Sequence, residues 1–358
     1  MKKQLPATVK PHKADPSPDA DDFHNPQLDL FQSFLCNNEA EREQLSNTID
    51  LWDSIPRYSV SRQAMAKMRT ADGFLGLLEL KFNYKGTCLK AIIQPARIRE
   101  DPGATLDYYP GANEELVEDA LRKIAADGGQ GFFDKSNYRS GVVFSLYMLR
   151  EELRKRGHAR SYQEIFKSLQ ILSGSLIEIR ADEGSDSESF SRTNYLPSLA
   201  AVSRKKLRDN PEAKWVAQFH PLVTQSVDAL TYRQFNYHRM MAHNTQLARW
   251  LHKQLSLKFT FASLANTFDI LYSTVKRDSA LINYKRERDG IDALDKAFDA
   301  LREQSVLVRV ERQEVLAERG KIEDVKYTLH PTQEFIREVK TANKRLATAV
   351  DKLLTSCG

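Results

Sequence analysis

Ser161-Tyr162-Gln163-Glu164-Ile165-Phe166-Lys167-Ser168-Leu169-Gln170-Ile171-Leu172-Ser173-Gly174-Ser175-Leu176-Ile177-Glu178-Ile179 changes its apolar period within one short run. Tyr162, Ile165, Leu169 and Leu172 recur at helical spacing and stop at Gly174, and Leu176-Ile177-Glu178-Ile179 then reads as a strand. Upstream, a helix opens after Phe144 with Ser145 as its cap, turns Leu146, Leu149 and Leu153 inward and stops near Gly157. Before that, Val117, Leu121 and Ile124 form a stripe ended by Gly128-Gly129. Helix, short glycine-containing turn, helix is the layout of a helix-turn-helix unit. A polar tip at residues 182–189 and a return through Tyr195 and Leu196 add a β-hairpin, which makes the unit a winged helix.

The same order returns after residue 230. Leu247, Leu251 and Leu255 stripe one helix. Leu264, Phe268 and Leu271 stripe a second, with Thr260 as its cap, and Ile291, Leu294, Phe298 and Leu301 stripe a longer third. Val306, Val308 and Val310 alternate, a Glu/Arg-rich tip with Gly320 follows, and Val325, Tyr327 and Leu329 alternate back. The expected fold class is α+β: two tandem winged-helix domains behind a disordered N-terminal tail. The expected divisions are a tail over residues 1–26, a peptide and linker over 27–54, domains over 55–227 and 228–345, and a C-terminal tail over 346–358. Within the first domain, Leu78, Leu80, Phe82 and Tyr84 alternate, Lys85-Gly86 turns, and the run from Leu89 to Ile93 completes a hairpin. Residues 39–51 fit a helix, with Leu45, Ile49 and Trp52 on one face.

At 358 residues and 41% hydrophobic content the chain can bury two cores. Its net charge of +5 suits a nucleic-acid partner, though placement of the charge matters more. Cys36, Cys88 and Cys357 have neither metal-ligand nor disulfide spacing, which favours a reducing compartment. No apolar run approaches bilayer length, and none follows Met1-Lys2-Lys3-Gln4, so a cytoplasmic protein without membrane insertion is expected. Phosphate loops, dinucleotide fingerprints and HExxH are missing, and the eight histidines are scattered. His238 and His243 fit a structural role better than a metal site. Neither a catalytic residue, a metal nor a cofactor is expected.

Candidate DNA contacts lie off the apolar stripes. In the first unit, Arg160 precedes the second helix, and Gln163, Lys167, Ser168 and Gln170 occupy its polar face. These are side-chain types that reach base edges and phosphates. In the second, Lys276, Arg277, Lys285, Arg286 and Arg288 precede the stripe that starts at Ile291, whereas Asp292, Asp295 and Asp299 follow. Macrodipole preference would put acids first, so that order favours an external anion at the helix start. Arg204 and Lys205 open a basic loop ahead of the strand from Trp215 to Phe219 and suit phosphate contact. A solvated polar face is the bland alternative for each group.

Near the start, Gln27-Leu28-Asp29-Leu30-Phe31 follows a proline-containing polar tail. It resembles the peptide by which bacterial proteins dock on the replication sliding clamp: Gln27 hydrogen-bonds a pocket rim, Leu30 and Phe31 fill an apolar cleft, and Leu28 supports them. With Val143-Phe144-Ser145-Leu146-Tyr147, Ser161 to Ile179, Asn244-Thr245-Gln246-Leu247-Ala248-Arg249-Trp250-Leu251 and Ser273-Thr274-Val275-Lys276-Arg277, the chain resembles plasmid replication initiators of the TrfA type. The likeness implies binding to iteron repeats in duplex origin DNA, opening of adjacent A·T-rich DNA and recruitment of the replisome. It further implies the sliding clamp, the host initiator DnaA and the replicative helicase as partners, and a homodimer formed through the first domain. A transcriptional repressor with the same domains and no clamp binding is the alternative. A clamp-tethered enzyme lacks a carboxylate cluster to support it.

Overall fold

A computed structural model describes residues 38–100, 103–127, 129–134, 136–181, 190–201, 210–316 and 322–356. The 1–26 tail, the peptide at 27–31, the tip at 182–189 and the cations Arg204 and Lys205 lie outside the described residues. One apolar core gathers buried side chains from Ile49 to Met241, and a second gathers those from Leu247 to Val339.

The chain enters through α1 (Glu39–Gln44), β1 (Leu45–Ile49) and α2 (Asp50–Ser54). A continuous helix over 39–51 is therefore not formed. Ser46-Asn47-Thr48 are weak helix formers, and β1 instead pairs antiparallel with residues 232–236, Leu45 opposite Asn236. After α3 (Arg62–Met68), β2 (Leu78–Tyr84) and β3 (Thr87–Gln94) make the expected hairpin. Its turn residues Lys85 and Gly86 have φ of 49° and 86°, as a tight hairpin requires. β4 (Ala96–Arg99) and β5 (Thr105–Tyr108) form another hairpin.

The first helix-turn-helix follows as α4 (Ala112–Ala126), β6 (Gly131–Asp134), β7 (Arg139–Ser145), α5 (Leu146–Lys155) and α6 (Tyr162–Gly174). Each helix starts where its chemistry dictates. The Met148 amide donates to Ser145 Oγ at 3.2 Å, and Ser161 and Glu164 cap α6 reciprocally. Leu146, Leu149 and Leu153 of α5 and Ile165, Leu169 and Leu172 of α6 are buried against α4, as the stripes predict. The wing strands β8 (Leu176–Ala181) and β9 (Phe190–Asn194) extend the earlier hairpin into a sheet ordered β2-β3-β8-β9. β10 (Ser198–Ala201) and β11 (Lys214–Gln218) join β7 and β6 in a second sheet.

α7 (Pro221–Asp228), β12 (Tyr232–Asn236) and α8 (Tyr237–Met241) lead to the second unit. There α9 (Gln246–Lys258), β13 (Phe268–Leu271), α10 (Tyr272–Ser279), α11 (Glu287–Glu303), β14 (Leu307–Leu316) and β15 (Ile322–Pro331) give the full winged-helix order. α12 (Gln333–Ser356) closes the domain. The fold class is thus α+β with two tandem winged helices. One expected element is displaced: Leu264, Phe268 and Leu271 do not stripe a helix. Leu264 is 79% exposed, while Phe268 and Ile270 lie in β13 opposite Leu329 and Tyr327 of β15. Period two and a free sheet edge win there, and the second helix begins at Tyr272.

α9 is buried on every face from Leu247 to Leu257 because it packs on elements of both cores. Polar contacts cross the same seam. Lys253 Nζ lies 2.5 Å from Asp119 and 3.2 Å from Glu115, and Gln254 donates to the Asp53 carbonyl at 2.9 Å. Asp53 also takes Arg122 at 2.7 Å and Arg57 at 3.0 Å, and Arg57 reaches Glu118 at 3.0 Å. Burial pushes the Glu118 carboxyl up, but Arg57 and Arg122 prevail and hold it at about 2.

Candidate nucleic-acid interface

α11 is the helix that a winged unit offers to a major groove. Its start is fixed from below. Tyr272 of α10 donates to Glu287 at 2.7 Å, and a Cβ at Gly290 would collide with the Tyr272 ring hydroxyl and Ile282. Only glycine lets α10 and α11 approach so closely. Arg286 occupies the N-cap position without a capping hydrogen bond of its own.

Around that start the structure brings together most of the expected cations. Lys285, Arg286 and Arg288 are exposed. Arg286 is 3.4 Å from Asp289, with its side chain 82% exposed, so the pair is a loose surface one. Among the described residues, Lys285 and Arg288 have no ion-pair partner. Lys276 is half-buried and pairs with Glu287, while Arg277 turns aside to Asp278 at 2.7 Å. Asp278 also accepts from the Asn83 amide at 3.0 Å, so the partner of exposed Arg277 is itself anchored at the interdomain seam.

Charge along α11 differs from expectation. Its first turn carries Glu287 and Asp289, where the helix dipole favours acids, and the cations stand at the cap, in the linker and at Arg288. The macrodipole therefore gives no evidence of an external anion. Asp295 is also committed: Arg312 of β14 reaches it at 2.9 Å and Tyr327 of β15 at 2.7 Å. These bonds lay the wing along α11. Its ten-residue strands reach roughly 30 Å at about 3.3 Å per residue, against roughly 25 Å for the seventeen-residue helix. On the other side of the wing, the Ser273 amide of α10 donates to Asp324 of β15 at 3.1 Å.

The first unit is less open. On α6, Gln163 is exposed, but Ser168 is buried and donates to Glu114 at 2.7 Å, contrary to its expected place on a free face. Lys167 turns sideways to Glu100 at 2.6 Å and to the Tyr108 hydroxyl at 3.2 Å. Arg160 donates to Asn113 at 3.0 Å. β4 covers part of the helix face. His238 and His243 act as scaffold: His238 meets Arg156 at 2.9 Å, and His243 meets His252 at 3.0 Å. Pattern reading missed Arg62 and Arg69, which stand beside α6. Arg62 opens a short helix far upstream and Arg69 caps its end, and no local signal marks them.

Among solved structures, the chain is similar to domains 2 and 3 of RctB, with a TM-score of 0.46 and 12% identity over 71% of this chain and 91% of that one. It is also similar to the Pi initiator protein in complex with iteron DNA, with a TM-score of 0.41 and 14% identity over 67% of this chain and 98% of that one. No family model and no curated protein sequence matches the chain. Among the described residues, no helix is long and apolar enough to cross a membrane.

Proposed function

We propose that this chain is a replication initiator that binds direct repeats in duplex origin DNA through two winged helices. The observation that carries the reading is the second unit, where exposed Lys285, Arg286 and Arg288 crowd the start of α11 and the wing strands are bonded to Asp295 of the same helix. A helix start rich in free cations, beside a protruding hairpin, suits simultaneous contact with a major groove and the flanking backbone. Replisome recruitment belongs to the same proposal, with Gln27, Leu28, Leu30 and Phe31 as the sliding-clamp peptide. Opening of A·T-rich DNA, contacts with DnaA and the helicase, and a homodimer through the first domain complete it.

Two measurements on one preparation test this. Gel shift on duplexes carrying direct repeats from beside the gene should show tight, repeat-dependent binding. Pull-down with the sliding clamp should succeed for the parent and fail for the Leu30→Ala, Phe31→Ala double variant, with duplex affinity held within about twofold. Repeat binding with no clamp capture by the parent would favour the repressor, and no duplex preference at all would end both readings.

A further inference from the structure

α3 and the β4–β5 hairpin close a cleft of about 360 Å³ against the flank of α6. Three cations converge inside it on one aromatic ring. Arg62, Arg69 and Lys167 lie 4.9, 4.4 and 4.3 Å from the centroid of Tyr108, which is itself 7% exposed. Cations attracted to a ring face also repel one another, so an anion placed between them is favoured.

The carboxylates nearby are each tied to a partner through at least one oxygen. Glu114 is fully buried and accepts from Arg62, Ser168 and the Gly111 amide at 2.6, 2.7 and 2.8 Å. Glu164 accepts the Ser161 amide and hydroxyl, both at 2.8 Å. Glu100 takes Lys167. Arg69 has no carboxylate among the described residues. Its Nε and one terminal nitrogen donate to the Asp107 carbonyl at 3.0 and 2.8 Å, which leaves the other terminal nitrogen as a spare donor. Asn113 accepts from Arg160 through its oxygen, so its amide nitrogen is spare as well. Spare donors on Arg69 and Asn113, in a cleft where three cations converge on one ring, favour an acceptor-only anion.

We propose that this cleft binds a phosphate group, and that the phosphate is one of a nucleic-acid backbone running along α6. The anion site stands on geometry alone, whereas its assignment to a backbone rests on the proposed function. Lys167 on this account positions the duplex and reads no base.

The test uses the full chain, Arg69→Gln, Lys167→Gln and the charge-retaining Arg69→Lys. Low-millimolar inorganic phosphate, against chloride at matched ionic strength, should raise the melting temperature of the parent and of Arg69→Lys, but not of the two glutamine variants. For a repeat-bearing duplex, each glutamine variant should lose about 0.9 from the slope of log affinity against log salt, with site preference unchanged. Equal phosphate protection in all four proteins overturns the site. Protection lost in the glutamine variants with an unchanged salt slope means a free-phosphate site and overturns the backbone assignment. A parent that binds no duplex removes the replication reading, and the phosphate arm then decides the cleft alone. Should Arg69→Gln fail to fold, Lys167→Gln, which breaks only a half-exposed pair, carries both measurements.

Discussion

Arg288 and Lys276 both stand near the start of α11, yet their removal should differ. Arg288 has no ion-pair partner among the described residues, whereas Lys276 is held by Glu287. Alanine at Arg288 should relax preference at one or two base pairs, because a bidentate arginine–guanine contact is worth about 1–3 kcal/mol of discrimination. Alanine at Lys276 should weaken all sequences alike. Site selection on randomised repeats reads the difference, and an unaltered preference in Arg288→Ala assigns base reading elsewhere. A second residue predicts pH behaviour. His220 stacks on Trp52 at 4.3 Å, and burial with Arg57 nearby pushes its ring down to about 3. A folded pKa below the unfolded 6.5 means that stability is fully present above about pH 6.5 and lost as pH falls toward 3. His220→Asn keeps an acceptor for the Leu222 amide and should flatten stability across that window by as much as one proton's slope, about 1.4 kcal/mol per pH unit. Denaturant titrations from pH 7 to 4 on both proteins decide it, and parallel curves would show that other groups set the acid response. At this scale the exposed cations were legible, since they fall off a clear apolar stripe. Their partners were not, because Lys167 finds Glu100 and Tyr108 some sixty residues away.

Elements were legible where cap and stripe agreed. Ser145 and Ser161 both cap, and α5 and α6 lie within a residue or two of their expected ends. Ser161→Ala should therefore lower stability by about 0.5–2 kcal/mol, because it orphans a first-turn amide of α6 and removes one of the two donors to Glu164. Equilibrium urea unfolding measures it, and a loss below about 0.3 kcal/mol would show that packing alone fixes the start of α6. The strand β13 was illegible for a physical reason. Phe268 and Ile270 satisfy period two, while Leu264, Phe268 and Leu271 mimic a helix. Only the distant β15 edge, which supplies the hydrogen bonds, separates the two. β1 hid in the same way behind its partner β12, nearly two hundred residues on.

Nothing in local pattern announced the seam that joins the two domains. Asp53, Glu115, Asp119 and Lys253 are polar positions that would be read as solvated until the fold buries them together. Lys253→Ala leaves Glu115 and Asp119 facing each other without their shared cation. It should cost about 3–5 kcal/mol, the usual penalty for breaking a buried ion pair from one side. Calorimetry should show a lower transition temperature for the chain as a whole, and a loss confined to one of two resolved transitions would mean that the domains melt independently. A cut between residues 227 and 228 would strip β12 and α8 from the first core, so isolated second domains are better begun near residue 243.

α9 has one more consequence, and it falls on the DNA. α9 is buried on all sides between two cores, so on the proposed function the two winged helices should act as callipers held at one opening. Each base pair inserted between the halves of a repeat rotates one half by about 34° relative to the other. Locked callipers cannot follow that rotation, so affinity should collapse within two or three inserted pairs rather than fade. A ladder of such duplexes measures it, and steady binding across the ladder would show that the callipers turn.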